Sequence, residues 1–285
     1  MRNLVWIVLD SARWDAAAAA DTPTFARIGP MERRWSYASW TAPSHLGFLM
    51  GLLPHRGEPG VSTSVQYQDE FARWPDRLEI PLDHSFSAFA PSLSLPRFLQ
   101  SLGYRCEARV SLPVLNPETV LSAHFDHYEL LAQHNDLGAA LDALTFSDAT
   151  PTFHFINTGE THYPYLLPGE TAEDLPPLPG VHGVWRSLDA FLRDPARRAG
   201  GESAIPFDRE QLRPLWRKQV ACIEHIDAVL ARALPRMPAD TWIILTSDHG
   251  ELFGEDGWFG HGPVVHDKVL EVFLVEGLNP ERGSA

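Results

Sequence analysis

Lysine is nearly absent from this 285-residue chain. Only Lys218 and Lys268 occur, so arginine supplies almost all of the 23 basic side chains, and 37 acidic residues bring the formal charge to −14. A duplex-binding surface needs clustered cations to neutralise phosphates, so nucleic acid is excluded as a partner, while an arginine pocket for one small anion is not. Cysteine is equally scarce. Cys106 and Cys222 are the only two, each in apolar or helical sequence, which argues against a disulfide-stapled scaffold and for reduced core thiols. No apolar run is long enough to span a bilayer, and the N-terminus lacks a signal-peptide pattern. Together these absences set the expectation of a cytoplasmic protein with no membrane span; they leave the oligomeric state open.

What is present is an apolar, aromatic-rich chain. At 44% hydrophobic and 11% aromatic residues it is too apolar for disorder. Its length suits one α/β domain over residues 1–285. Three continuously apolar runs read as central strands buried on both faces. They are Leu4 to Leu9, Thr152 to Asn157 and Thr241 to Thr246, and each ends in polar residues: Asp10-Ser11, then Thr158 to His162, then Ser247-Asp248-His249-Gly250. Helical spacing is expected over 44–50, 95–102 and 213–234, the last with Leu215, Val220, Ile223, Ile226, Val229 and Leu230 on one face. Strands alternating with helices predict an α/β fold, a mostly parallel central sheet with helices on both faces. Two irregular stretches rich in proline and glycine, 54–91 and 164–206, read as long active-site loops, either lid insertions or surface elaboration.

Chemistry collects at the carboxyl ends of such strands. Asp10, Asp248 and His249 offer two carboxylates and an imidazole, a mixed oxygen and nitrogen set that favours zinc or manganese over calcium or magnesium. In the segment Ser39 to Gly51, Pro43 and Ser44 suit a helix start, which sets Thr41 just before the N-terminus, where free amides and the helix dipole attract an anion. A threonine hydroxyl becomes a useful nucleophile only when a metal or base lowers its pKa. Taken singly, Thr41 and Asp10 also read as helix caps and Asp248-His249 as a polar turn; their joint placement at strand ends is what points to a site.

The motifs Asp10-Ser11-Ala12-Arg13, Thr41-Ala42-Pro43-Ser44, Phe125-Asp126, His162-Tyr163-Pro164-Tyr165, Ser247-Asp248-His249-Gly250-Glu251 and Gly260-His261-Gly262 resemble, in order and spacing, the sulfatase-like branch of the alkaline-phosphatase-like superfamily. Further landmarks lie at Leu95 to Cys106 and around Asp227, so the resemblance spans the chain. Three departures are informative. Sulfatases carry a cysteine or serine, matured to formylglycine, where this chain has Thr41, and usually an arginine where it has His45. They also tend to have a second aspartate at the position of Ser11. The set Asp10, Thr41, Asp248 and His249 is similar to the metal ligands of phosphoethanolamine transferases.

The resemblance therefore implies a metal-dependent hydrolase or phosphotransferase acting on a phosphate-type ester, whether phosphomonoester, phosphodiester or phosphonate, with Thr41 as nucleophile. It implies one tightly bound divalent ion and leaves a second open, since relatives that bind two zinc ions use an Asp-x-x-x-His element and Thr158 stands four residues before His162. His162 and His261 are expected to hold the substrate's anionic oxygens or to protonate the leaving group, and His45 to bind substrate beside Thr41. The expected partner is a small-molecule or carrier-tethered anionic ester. Three alternatives stand beside this reading: a sulfate-ester hydrolase without formylglycine, an isomerase of the same superfamily, and a non-catalytic binding protein on the same fold.

Overall fold

Six consecutive apolar residues leave no polar face, and they form the central strand β1 (Leu4–Leu9), in which every side chain is buried. The structure is a computed structural model that describes residues 1–57, 73–80, 94–171, 209–262 and 264–281. β1 pairs in parallel with β5 (Thr152–Thr158) on one side and β6 (Trp242–Ser247) on the other, with Leu9 opposite both Thr158 and Ser247. Beyond β5 come β3 (Arg105–Val110) and β4 (His127–Leu130), both parallel. Beyond β6 come β9 (Glu271–Leu278), which is antiparallel to it, and β2 (Glu32–Trp35) at the edge. The sheet is thus a mixed one of seven strands, mostly parallel, as the apolar runs predict.

Alternation along β1 sends side chains into two cores. Val5, Ile7 and Leu9 pack with α1 (Trp14–Ala19), α2 (Pro23–Ile28), α5 (Leu137–Asp142) and the long α6 (Arg209–Ala233). Leu4, Trp6 and Val8 pack on the opposite face with α3 (Thr41–Leu49) and α4 (Leu95–Ser101). Trp6 centres this second core, its ring 5.3 Å from Phe48 and 5.8 Å from Phe155. Asp227 on α6 accepts the amides of Thr24 and Phe25 and so caps α2 from across the core. Asp126 plays the same kind of part at β3, accepting the amide of Cys106. Both cysteines are buried free thiols.

Two boundaries differ from the sequence reading. α6 begins four residues earlier than expected and carries Pro214 as its sixth residue, past the first turn, where the ring removes one helical hydrogen bond. α3 begins at Thr41 rather than after it, as described below. The two proline-rich stretches, 54–91 and 164–206, fall largely outside the described residues. No helix among the described residues is long and apolar enough to cross a membrane.

His154, in the middle of β5, is fully buried, donates Nε2–H to the Thr145 carbonyl at 2.9 Å and meets Phe146 edge-on. Burial pushes its pKa down to about 4, against the opposing pull of that carbonyl and of Glu107. In the unfolded chain it titrates near 6.5. The unfolded state therefore takes up the proton first as the pH falls, so the stability tied to neutral His154 is complete above about pH 6.5 and is lost towards pH 4. Denaturant titrations of wild type and His154→Gln across this range should converge as the pH falls, and parallel curves would contradict the assignment.

Candidate active site

Because Leu9 lies opposite both Thr158 and Ser247, the residues that follow β1, β5 and β6 emerge side by side at one edge of the sheet. Asp10 comes from β1 and Asp248-His249 from β6. All three are fully buried, and each offers a donor atom within 4.8 Å of the others. Ser247 fixes the exit of β6 by donating its hydroxyl to the carbonyls of Leu9 and His249. Gly250 then runs so close to the chain that a Cβ there would lie 2.2 Å from the Lys268 carbonyl oxygen, which is why only glycine fits.

The surrounding hydrogen bonds aim the donor atoms. His249 donates from Nδ1 to the Gly250 carbonyl at 2.9 Å, which leaves Nε2 as its lone-pair nitrogen. That atom is 3.3 Å from Asp248 Oδ2, 4.0 Å from Asp10 Oδ1 and 3.3 Å from Thr41 Oγ1. Asp248 Oδ1 accepts the amides of Ser11 and His249, while its buried Oδ2 has no hydrogen-bond partner. Asp10 Oδ2 accepts from the Asn157 amide and Oδ1 from the Ser11 hydroxyl.

Two carboxylates in one dry place cannot both stay charged unaided. Burial, and then the Asp10 charge, drive the Asp248 carboxyl well above the usual range. Burial works against the Asp10 carboxylate too, yet the imidazoles of His162, His249, His261 and His45 hold it at about 2. Burial also holds His249 neutral, at about 3. A neutral imidazole nitrogen, a partnerless carboxylate oxygen and a second carboxylate, all facing one another, fit a divalent cation. Among the described residues this is the one group of acids and histidines with such spacing.

Thr41 is the first residue of α3, after an extended Trp40. The helix starts two residues sooner than the sequence suggests because Pro43 still falls in the first turn, where its missing amide has no acceptor to lose. The shift makes Thr41 itself helical and leaves it buried, at 6% exposure. His45, four residues on, does not line the cavity beside Thr41. It lies beneath the nucleophile, with Nδ1 2.8 Å from the Thr41 carbonyl oxygen and its ring edge-on to Phe48 and Phe155. One helical turn sets it against the core, with Nδ1 also 3.8 Å from the bare Asp248 Oδ2.

His162 and His261 do reach that cavity, which has a volume of about 450 Å³. Their rings lie 5.3 Å apart, and His261 is 4.2 Å from His249. His162 donates from Nδ1 to the Tyr163 carbonyl. His261 Nδ1 sits 3.1 Å from Glu251 Oε1 and 3.3 Å from Ser11 Oγ, while Tyr165 donates its hydroxyl to the other Glu251 oxygen. Burial raises Glu251 to about 7 despite these imidazole neighbours. Arg13 pairs with Asp15 and Glu255 and donates to the Glu251 carbonyl, so it braces the loop rather than entering the site.

Sequence reading missed several supports. Asn157 bridges strands: its side chain accepts the Ser111 amide and donates to Asp10. Gln219 on α6 donates to the carbonyls of Ser11 and Thr161 and accepts the Arg13 amide, tying two strand-end loops together. Both carried a signal. Asn157 is an amide inside an apolar strand, and Gln219 stands between Leu215 and Cys222 on the buried face of its helix. Removing such a partner of a metal ligand typically weakens metal binding ~10- to 100-fold. Asn157→Ala should show that loss in a zinc titration by calorimetry, and an unchanged affinity would dismiss the bridge as incidental.

Known proteins share this fold. No family model matches the chain. The uncharacterized sulfatase YidJ of Escherichia coli (strain K12) is 25% identical over 133 residues, which cover 44% of this chain and only 26% of that protein. Among solved structures, the C-terminal periplasmic domain of phosphoethanolamine transferase EptC from Campylobacter jejuni superposes with a TM-score of 0.53 at 14% identity, covering 98% of this chain and 79% of that one. The corresponding domain of EcEptC from Escherichia coli, in complex with zinc, gives 0.51 at 13% identity over 98% and 73%. The phosphonate monoester hydrolase of Agrobacterium radiobacter gives 0.55 at 16% identity over 98% and 68%. The chain thus has the alkaline-phosphatase-like fold, in the form shared by sulfatases, phosphoethanolamine transferases and phosphonate monoester hydrolase.

Proposed function

We propose that this chain is a metal-dependent hydrolase or transferase of phosphate-type esters, with Thr41 as its nucleophile. The observation that carries this reading is the approach of Thr41 Oγ1 to 3.3 Å from His249 Nε2, inside the Asp10, Asp248 and His249 cluster and at the wall of an open cavity. Asp10, Asp248, His249 and Thr41 would hold the ion, and the nitrogen and oxygen donors favour zinc or manganese. When bound, it supplies Lewis-acid stabilisation of the developing charge and lowers the pKa of the threonine hydroxyl.

The remaining roles belong to the protein. The first amides of α3 have no acceptor within the helix and stabilise charge on the attacked centre. Thr41 Oγ1 loses its proton to solvent and attacks phosphorus, forming an O–P bond as the bond to the leaving alcohol breaks. His162, whose Nδ1–H is committed to the Tyr163 carbonyl, delivers a proton from Nε2 to the departing oxygen. His261, oriented by Glu251 and Ser11, binds an ester oxygen. Water or a second alcohol then cleaves the phosphothreonine, releasing the product and restoring the hydroxyl. The substrate is a small-molecule or carrier-tethered anionic ester. The phosphoethanolamine transferase and phosphonate monoester hydrolase among the structural neighbours support this chemistry.

The test is a panel of 4-nitrophenyl phosphate, bis(4-nitrophenyl) phosphate, 4-nitrophenyl phenylphosphonate and 4-nitrophenyl sulfate, assayed with zinc or manganese. Turnover of a phosphorus ester should vanish on chelation, return with the metal, and fall at least about a thousandfold in Thr41→Ala, which keeps its fold and most of its metal. Full activity in Thr41→Ala would overturn the nucleophile, and a preference for the sulfate ester would overturn the phosphoryl assignment.

A further inference from the structure

The cavity beside Thr41 has two kinds of lining. Thr41, His162 and His261 are polar, and Trp40, Ala42, Leu112, Pro113 and Val114 present an apolar side. Its volume of about 450 Å³ falls within the ~300–1,000 Å³ typical of small-molecule sites, which are mostly apolar with a few polar groups that fix orientation. Here the polar groups are those assigned to the phosphoryl centre. The apolar side remains without a task in that chemistry.

That side is built, not incidental. Leu112 leads into the short turn Pro113–Leu115, where Leu115 is fully buried in a satellite core with Val110, Leu112 and Leu121. The Leu115 amide donates to the Leu112 carbonyl, and the Tyr128 hydroxyl donates to the Leu115 carbonyl at 2.6 Å. From this anchored turn Val114 stands out at 52% exposure and lines the same cavity as Trp40, which is 48% exposed. Single exposed hydrophobic residues need no explanation. Two that line one cavity, one of them adjacent in sequence to the nucleophile, do.

Resting on the phosphate-ester reading, we infer that this wall binds an apolar organic group of the ester, an alkyl chain or an aromatic ring, and that Trp40 and Val114 set specificity for it. A sugar or other hydroxyl-rich alcohol would lose water from its hydroxyls against the hydrocarbon of Leu112, Pro113 and Val114, which repay none of those hydrogen bonds. An alkyl or aryl group gains by the same transfer.

Binding of unreactive alkylphosphonates separates this inference from the catalytic one. Methyl-, butyl-, hexyl- and phenylphosphonate are titrated into the zinc-loaded protein by calorimetry. Each added methylene should tighten binding about three- to fourfold until the wall is covered, following ~0.8 kcal/mol per buried CH₂. Val114→Asp and Trp40→Ala should each weaken hexylphosphonate at least tenfold while methylphosphonate changes less than twofold. No binding, a flat dependence on chain length in the wild type, or the same slope in both variants overturns the inference. A clear slope in a protein that turns over none of the esters would uphold the wall and overturn the proposed chemistry; turnover without a slope would do the reverse.

Discussion

Two buried carboxylates at the ends of adjacent parallel strands are the constraint around which this molecule is arranged. Asp10 and Asp248 follow β1 and β6 at matching register, with no solvent to separate their charges. Such a pair is unfavourable in a folded core unless something positive or hydrogen-bonding compensates it. Much of the polar structure nearby does so: the Ser11 and His249 amides on Asp248, and the Asn157 amide and Ser11 hydroxyl on Asp10. What these leave over is one lone-pair nitrogen and one bare carboxylate oxygen, which is the chemistry of a cation site.

The scaffold explains how the cost is carried. β1, β5 and β6 are buried on both faces, so their ends are held in place by two hydrophobic cores rather than by the loops they feed. α6 contributes Gln219 from its buried face, and one side chain therefore registers the loop after β1 against the loop after β5. α3 approaches from the other face and delivers Thr41 at its first turn. Chemistry is thus assembled from three strand ends and one helix end, each positioned by packing.

Much of this was legible in the sequence, for reasons specific to each element. The three central strands read clearly because burial on both faces demands unbroken apolar runs. Asp10, Asp248 and His249 read clearly because they interrupt those runs at one end. The start of α3 was misplaced because proline marks a first turn without saying which residue of the turn it occupies. His45 was expected beside Thr41 and is found beneath it, against the Thr41 carbonyl and near Asp248, because a position in a motif does not reveal which side of a helix faces the core. Asn157 and Gln219 were overlooked because an amide within an apolar pattern reads as noise until its partners, far away in sequence, are known. The roles of 54–91 and 164–206 stay with the sequence reading, since those stretches lie mostly outside the described residues.

Ser11 holds a left-handed backbone conformation, φ 62°, which a non-glycine residue adopts at a cost of roughly 1 kcal/mol. In return its amide reaches Asp248 and its hydroxyl reaches both Asp10 and His261. The same position in the resembling sulfatases tends to hold a further aspartate. With serine there, two carboxylates and a divalent ion would sum to zero, whereas a third acid would leave such a centre negative towards any anion approaching through the cavity. Under the proposed function, that balance would spare an anionic ester the repulsion that a more acidic centre would have to offset with added cations.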